Sequence, residues 1–222
     1  MDKNQITVLS SNDTKLVQDQ GLDFNLSAFN IKELVQKSFQ VKALYLFVQE
    51  GEIRLKTEYL DCNLKAGMYL ALSGNVEVEF MPNSRGIYIE TSAFHPLNCV
   101  GGPLENEGRL QYIDGCSDTL LLPPSRLGEP CLNLLHFPSK TNQTIHHHPS
   151  FRFGIVYSGC GESVSLSETI DLRAGDVFFI PAGVQHKFNT NESEMNVIAF
   201  HPDSDWGPTD EIHPMKNRTW FK

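Results

Sequence analysis

From Val41 onward the chain is a succession of short apolar runs broken by Gly, Pro, Asn and Asp. They include ALYLFV (43–48), VEVEF (76–80), GIYIET (86–91), LNLLHF (132–137), FGIVYSG (153–159), DVFFIPAG (176–183) and NVIAF (196–200). Runs this short and this rich in β-branched and aromatic residues cannot supply helices, and many of them at close spacing predict an all-β sandwich or barrel. One segment reads otherwise. Asn30 and Glu33 form a capping box, and Ile31, Leu34, Val35 and Phe39 fall on one helical face, which predicts a short N-terminal helix over Asn30–Phe39.

The strand text repeats. Leu64-Lys65-Ala66-Gly67-Met68-Tyr69-Leu70 parallels Leu172-Arg173-Ala174-Gly175-Asp176-Val177-Phe178, 108 residues later. Ala93-Phe94-His95-Pro96 returns as Ala199-Phe200-His201-Pro202, 106 residues later, and Gly-Pro follows each (Gly102-Pro103, Gly207-Pro208). Two matches in the same order at nearly the same offset point to a duplicated β unit. The expected division is an N-terminal barrel over 1–115 and a C-terminal barrel over 116–222, joined by a packed crossover rather than a loose linker, because the joining segment keeps its apolar positions.

Charge narrows the function. With 27 acidic against 18 basic side chains the net charge of the 222 residues is −9, a field that repels nucleic acid and anionic membranes. No apolar run is long enough to cross a bilayer and the first residues lack a secretory signal, so a cytoplasmic protein is expected. The five cysteines, Cys62, Cys99, Cys116, Cys131 and Cys160, are odd in number and without metal-type spacing, which argues against a disulfide framework or zinc ribbon.

Candidate chemistry gathers in the second half, at Thr144-Ile145-His146-His147-His148-Pro149. In an extended chain His146 and His148 share a face and His147 points the other way. The partner expected for the pair is His186, presented by a Pro-x-Gly turn after the run Val177–Ile180. Three neutral imidazoles suit Fe, Zn, Ni, Cu or Mn better than Mg or Ca.

At these residues the sequence resembles the cupin superfamily. His146-x-His148 followed by Gly159 matches its first motif, and Gly175-(x5)-Pro181-x-Gly183-x-x-His186 its second, with Asn189 one residue early. Together with the repeat, the resemblance is to a bicupin: two tandem double-stranded β-helix barrels with metal motifs in the C-terminal one. It implies a metal held by His146, His148 and His186. Where the family usually places a glutamate ligand this chain has Arg152, whose strand parity with His148 sends it inward. A guanidinium cannot ligate. It either grips an anionic substrate beside the metal or is paired with an internal acid such as Glu162 or Asp176. The first half has lost the motifs: Ser73-Gly74-Asn75 stands opposite Pro181-Ala182-Gly183, and Val78 opposite His186. His95 and His201 are expected to be structural, with lining of the barrel mouth left open as the alternative for His201, and the tail, with Trp206, His213, Arg218 and Trp220, is expected to fold over a barrel opening.

The function this implies is a metal-dependent bicupin enzyme acting on a small anionic molecule, foremost a three-His mononuclear non-haem iron dioxygenase with Arg152 as a catalytic residue holding the substrate. Fe(II) is the expected metal, with Zn, Ni or Mn as alternatives. The rival readings are a redox-neutral isomerase, lyase or decarboxylase, and a non-catalytic small-acid sensor. Neither nucleic acid nor membrane is expected as a partner. A homodimer suits the fold.

Overall fold

The structure, a computed structural model, describes residues 5–10, 16–18 and 24–203. Strand β1 (Thr7–Leu9) opens it, followed by β2 (Leu16–Gln18), β3 (Phe24–Asn30), β4 (Val35–Glu50), β5 (Glu52–Lys56), β6 (Asp61–Lys65), β7 (Tyr69–Phe80), β8 (Arg85–Thr91) and β9 (Cys99–Gly101). The second half carries β10 (Leu110–Gln111), β11 (Ser117–Leu122), β12 (Cys131–Phe137), β13 (Arg152–Ser165), β14 (Thr169–Arg173), β15 (Val177–Ile180), β16 (His186–Asn189) and β17 (Met195–His201). One antiparallel sheet runs β2-β3-β8-β4-β7-β5-β6 with β9 on β7; the other runs β1-β15-β13-β17-β12-β11-β10 with β14 and β16 on β13. Strands β1 and β10 lie within the span expected for the first barrel, yet both are hydrogen-bonded into the second sheet. No described helix is long and apolar enough to cross a membrane.

The apolar runs are continuous because both faces of their strands are buried. On β4, Leu44, Leu46 and Val48 point into the first barrel, where they meet Val76, Val78 and Phe80. Ala43, Tyr45 and Phe47 point the other way, into a core shared between the sheets. The second barrel repeats this: Phe178 and Ile180 face its interior with Val197 and Ala199, while Val177 and Phe179 join the shared core with Phe153 and Phe200. Two barrels packed face to face through one apolar layer are therefore written as strands with no polar side.

The repeat is visible bond by bond. Gly67 N–H donates to the Val48 carbonyl at 2.9 Å, and Gly175 N–H to that of Val156 at 2.8 Å; Ala66 donates to Gly51 at 3.0 Å, and Ala174 to Gly159 at 3.1 Å. Each pair stands 108 residues apart. Gly51 and Gly159 share φ values of 77° and 76°, a left-handed turn that favours glycine, and backbone of the facing turn or strand fills the place of a side chain at each. Gln49 and Tyr157, also 108 apart, meet across the interface through a bond from Gln49 Nε2 to the Tyr157 carbonyl at 3.1 Å.

The helix expected over Asn30–Phe39 is absent. Asn30 ends β3, a bend follows, and Val35 begins β4, whose first part pairs with β7 from Val35↔Phe80 to Val41↔Gly74. The helical spacing was coincidental, for Leu34 and Val35 are exposed. Phe39 and Val41 instead share one face of a strand and pack into the first core, so sheet pairing overrides a weak local preference. Trp206, His213, Arg218, Trp220 and the Gly207-Pro208 match lie outside the described residues.

Asp118 and Asn133 form a polar pair buried in the second sheet. Asp118 on β11 accepts from Asn133 Nδ2 on β12 at 2.9 and 3.0 Å. Burial pushes its carboxyl up to about 6, against the pull of the Asn133 and Thr119 hydrogen bonds. A carboxyl whose folded pKa exceeds its ordinary value favours the folded state less as pH rises through that window. Each pH unit between 3.8 and 6 costs about 1.4 kcal/mol, about 3 kcal/mol in full above pH 6. Asp118→Asn keeps the contact without the charge. It is expected to raise the melting temperature by several degrees at pH 8 and to leave it nearly unchanged at pH 4; equal effects at both pH values would mean the carboxyl titrates normally.

Candidate metal centre

The second barrel departs from the first where β7 continues unbroken as its counterpart splits into β15 and β16 around the turn at 181–185. Gly183 N–H donates to the His148 carbonyl at 2.8 Å, so the turn is fastened to the histidine segment. His146 and His186 are then bridged directly: each N–H donates to the other's carbonyl, at 2.9 and 2.8 Å. Residues opposed in this way point their side chains to the same face, and His148, two residues on, joins them. Ring centroids lie 4.7 Å apart for His146 and His186, 5.0 Å for His146 and His148, and 5.2 Å for His148 and His186. One ring nitrogen from each falls within 4.8 Å of the others. His147 points outward and is exposed.

Hydrogen bonds decide which nitrogen is available. His146 Nδ1 lies 2.9 Å from the Thr144 carbonyl and His186 Nδ1 2.8 Å from that of Val184. A carbonyl only accepts, so each Nδ1 carries the hydrogen and each Nε2 keeps its lone pair. Burial pushes His186 down to about 3 and His146 below its ordinary value, with the Arg152 guanidinium adding to both. These two imidazoles are thus held in the neutral form, the one that ligates. The segment is pinned from behind: Asp114, in a left-handed turn of the crossover (φ 55°), accepts from Thr144 N–H at 2.5 Å and from Thr144 Oγ1 at 3.2 Å. This donor set fits a late first-row divalent ion.

The trio opens onto a cavity of about 30 Å³ walled by Leu135, Phe137, Phe178, Ile180 and Phe188, with Arg152, Gln143, Tyr112 and His201 as its other polar members. Among the described residues no carboxylate lines it. Arg152 is 4% exposed; its Nη1 donates to Ser150 Oγ at 2.6 Å and to the Phe151 carbonyl at 3.0 Å. Among the described residues an acid set against it is Asp203, 4.0 Å from Nη1 and bonded to Ser150 Oγ at 2.6 Å, where the sequence suggested Glu162 or Asp176. Asp203 comes from the loop after β17, which no motif foretold. His201, for which the sequence left a structural role or a place at the barrel mouth open, shares strand parity with Val197 and Ala199 and lines the cavity. In the first half Leu44 pairs with Leu72 as Arg152 pairs with Ile180, and Val78 is core, so that interior is filled with aliphatic and aromatic side chains.

A model of the cupin domain family matches residues 133–201. No curated protein sequence matches the chain. Among solved structures, a cupin 2 conserved barrel domain protein from Leptotrichia buccalis is similar over 88% of this chain and 88% of its own, at 13% identity and TM-score 0.66. Salicylate 1,2-dioxygenase from Pseudaminobacter salicylatoxidans covers 91% of this chain and 85% of its own at 11% identity and TM-score 0.68. AerE from Microcystis aeruginosa covers 88% and 95% at 16% identity and TM-score 0.61. The chain therefore has the all-β cupin fold, with residues 133–201 matching the cupin domain itself.

Proposed function

We propose that this chain is a bicupin enzyme with one metal centre, in the C-terminal barrel (116–222), and a first barrel (1–115) that lacks one. It acts on a small anionic molecule as a three-His mononuclear non-haem iron dioxygenase. The observation that carries the reading is the convergence of three imidazoles and one buried guanidinium on a single apolar cavity. Bound Fe(II) would supply a redox-active Lewis acid with open positions for an anion and dioxygen.

The chain's own residues do the rest. His146, His148 and His186 hold the ion through one ring nitrogen each. Arg152, fixed by its bonds to Ser150 and Phe151, presents its positive charge to the acid group of the substrate. The phenylalanine walls exclude water and so strengthen that pairing. One similar structure is named a salicylate 1,2-dioxygenase. The name accords with the reaction class, but a cavity of about 30 Å³ favours a substrate smaller than an aromatic acid.

The test is metal content of untagged protein together with oxygen uptake against small organic acids, thiols and β-diketones. About one iron per chain with substrate-dependent uptake supports the dioxygenase. Zinc, nickel or manganese without uptake moves the reading to redox-neutral Lewis-acid chemistry or to sensing. Arg152→Ala is expected to leave metal content unchanged and raise KM for the substrate at least about tenfold, since a charge-assisted bond is worth about 1.5–3 kcal/mol. Loss of metal or of folding would assign Arg152 a structural role.

A further inference from the structure

One polar group on the cavity wall takes no part in gathering the three histidines. His201 closes β17, and its ring centroid stands 6.5 Å from that of His148, outside the trio but on the same cavity as Arg152. Its Nε2 is buried and has no hydrogen-bond partner among the described residues. A ring nitrogen left so carries the desolvation penalty of an unmade hydrogen bond, and such groups call for an explanation. The repeat does not supply one. His95, in the corresponding Ala-Phe-His-Pro, is exposed, and Ser125 Oγ donates to its carbonyl, so this sequence does not by itself require a buried imidazole.

We propose that His201 is a ligand-contact residue whose Nε2 hydrogen-bonds a second polar atom of the bound acid. This rests on the metal-and-anion reading of the site. Three fixed points then face the cavity: the histidine trio, the Arg152 guanidinium and His201. A water needs about 10–15 Å³ on the scale that gives about 30 Å³ here, so the ligand has few heavy atoms. The class that meets all three points in so small a space is a short carboxylic acid bearing a hydroxyl, oxo or thiol group. An acid without that group would satisfy Arg152 and leave Nε2 unpaired, and buried polar groups reject such analogues strongly.

Co(II)-loaded full-length protein, titrated with glycolate and with acetate by calorimetry and by cobalt absorption, tests this. The unaltered protein is expected to bind one Co(II) and to prefer glycolate by about tenfold or more. His201→Leu should keep the Co(II) and its spectrum but bind both acids alike, and His201→Gln should keep part of the preference. A preference that survives in His201→Leu would overturn the proposal. So would loss of Co(II) from both variants, which would make His201 part of the metal site. Co(II) binding by the unaltered protein without any preference for glycolate overturns this inference alone, whereas failure to bind Co(II) at all overturns the metal reading and this one with it.

Discussion

Replacing His186 with alanine is expected to weaken metal binding by about 100- to 1,000-fold while the protein stays folded. Structural zinc ions are held with about 10–16 kcal/mol shared among four ligands, so one ligand is worth about 2.5–4 kcal/mol. His186 is the member whose loss should hurt most. It is 1% exposed, it forms the bridge to His146, and its Nδ1 is already tied to the Val184 carbonyl, so little ordering remains to be done when it ligates. Alanine leaves the backbone bridge intact, because both of its hydrogen bonds are main-chain, and that is why folding should survive. Competition titration with a chromophoric chelator measures the affinity and circular dichroism the fold. An unchanged affinity in a folded variant would mean the ion sits elsewhere.

The second large effect is on stability. Phe178→Ala is expected to cost about 3–5 kcal/mol, or roughly 6–20 °C in melting temperature for a chain of this size. Phe178 is 1% exposed, its ring lies 5.5 Å from that of Phe188, and it occupies the place of a side chain at Gly154, whose Cβ would meet the Phe178 Cζ at 2.4 Å. Its neighbours are β-strand positions that cannot close in without moving the sheet. The same ring also walls the metal cavity, so the truncated variant, assayed well below its melting point, should retain metal and admit anions of benzoate size. A small loss of stability with no change in anion size would show that the cavity collapses around the deletion.

Strand periodicity and the turn chemistry around Pro181 and Gly183 made the second barrel and its histidine trio legible, since i, i+2 parity alone puts His146 and His148 on one face. Arg152 followed by the same parity. Asp203, Ser150 and Asp114 did not, because each reaches the site from a loop whose position depends on the closed barrel, and no local pattern encodes that. His201 was legible as one of two alternatives: two-residue alternation with Val197 and Ala199 points it inward to the barrel mouth, whereas its match to His95 suggested a shared structural role that exposure of His95 does not support. The Asn30–Phe39 segment failed for another reason. Four apolar residues at helical spacing outweighed the alternation Phe39, Val41 that actually meets the core, and only the partner strand β7 decides between them.

The account stands on the three-histidine centre, and anaerobic titration of the full-length protein with Fe(II), beside the His146→Ala, His148→Ala, His186→Ala and His147→Ala variants, tests it most directly. It predicts one ion per chain, lost in the first three variants and kept in His147→Ala. Metal retained in His148→Ala, or lost from His147→Ala, would contradict it.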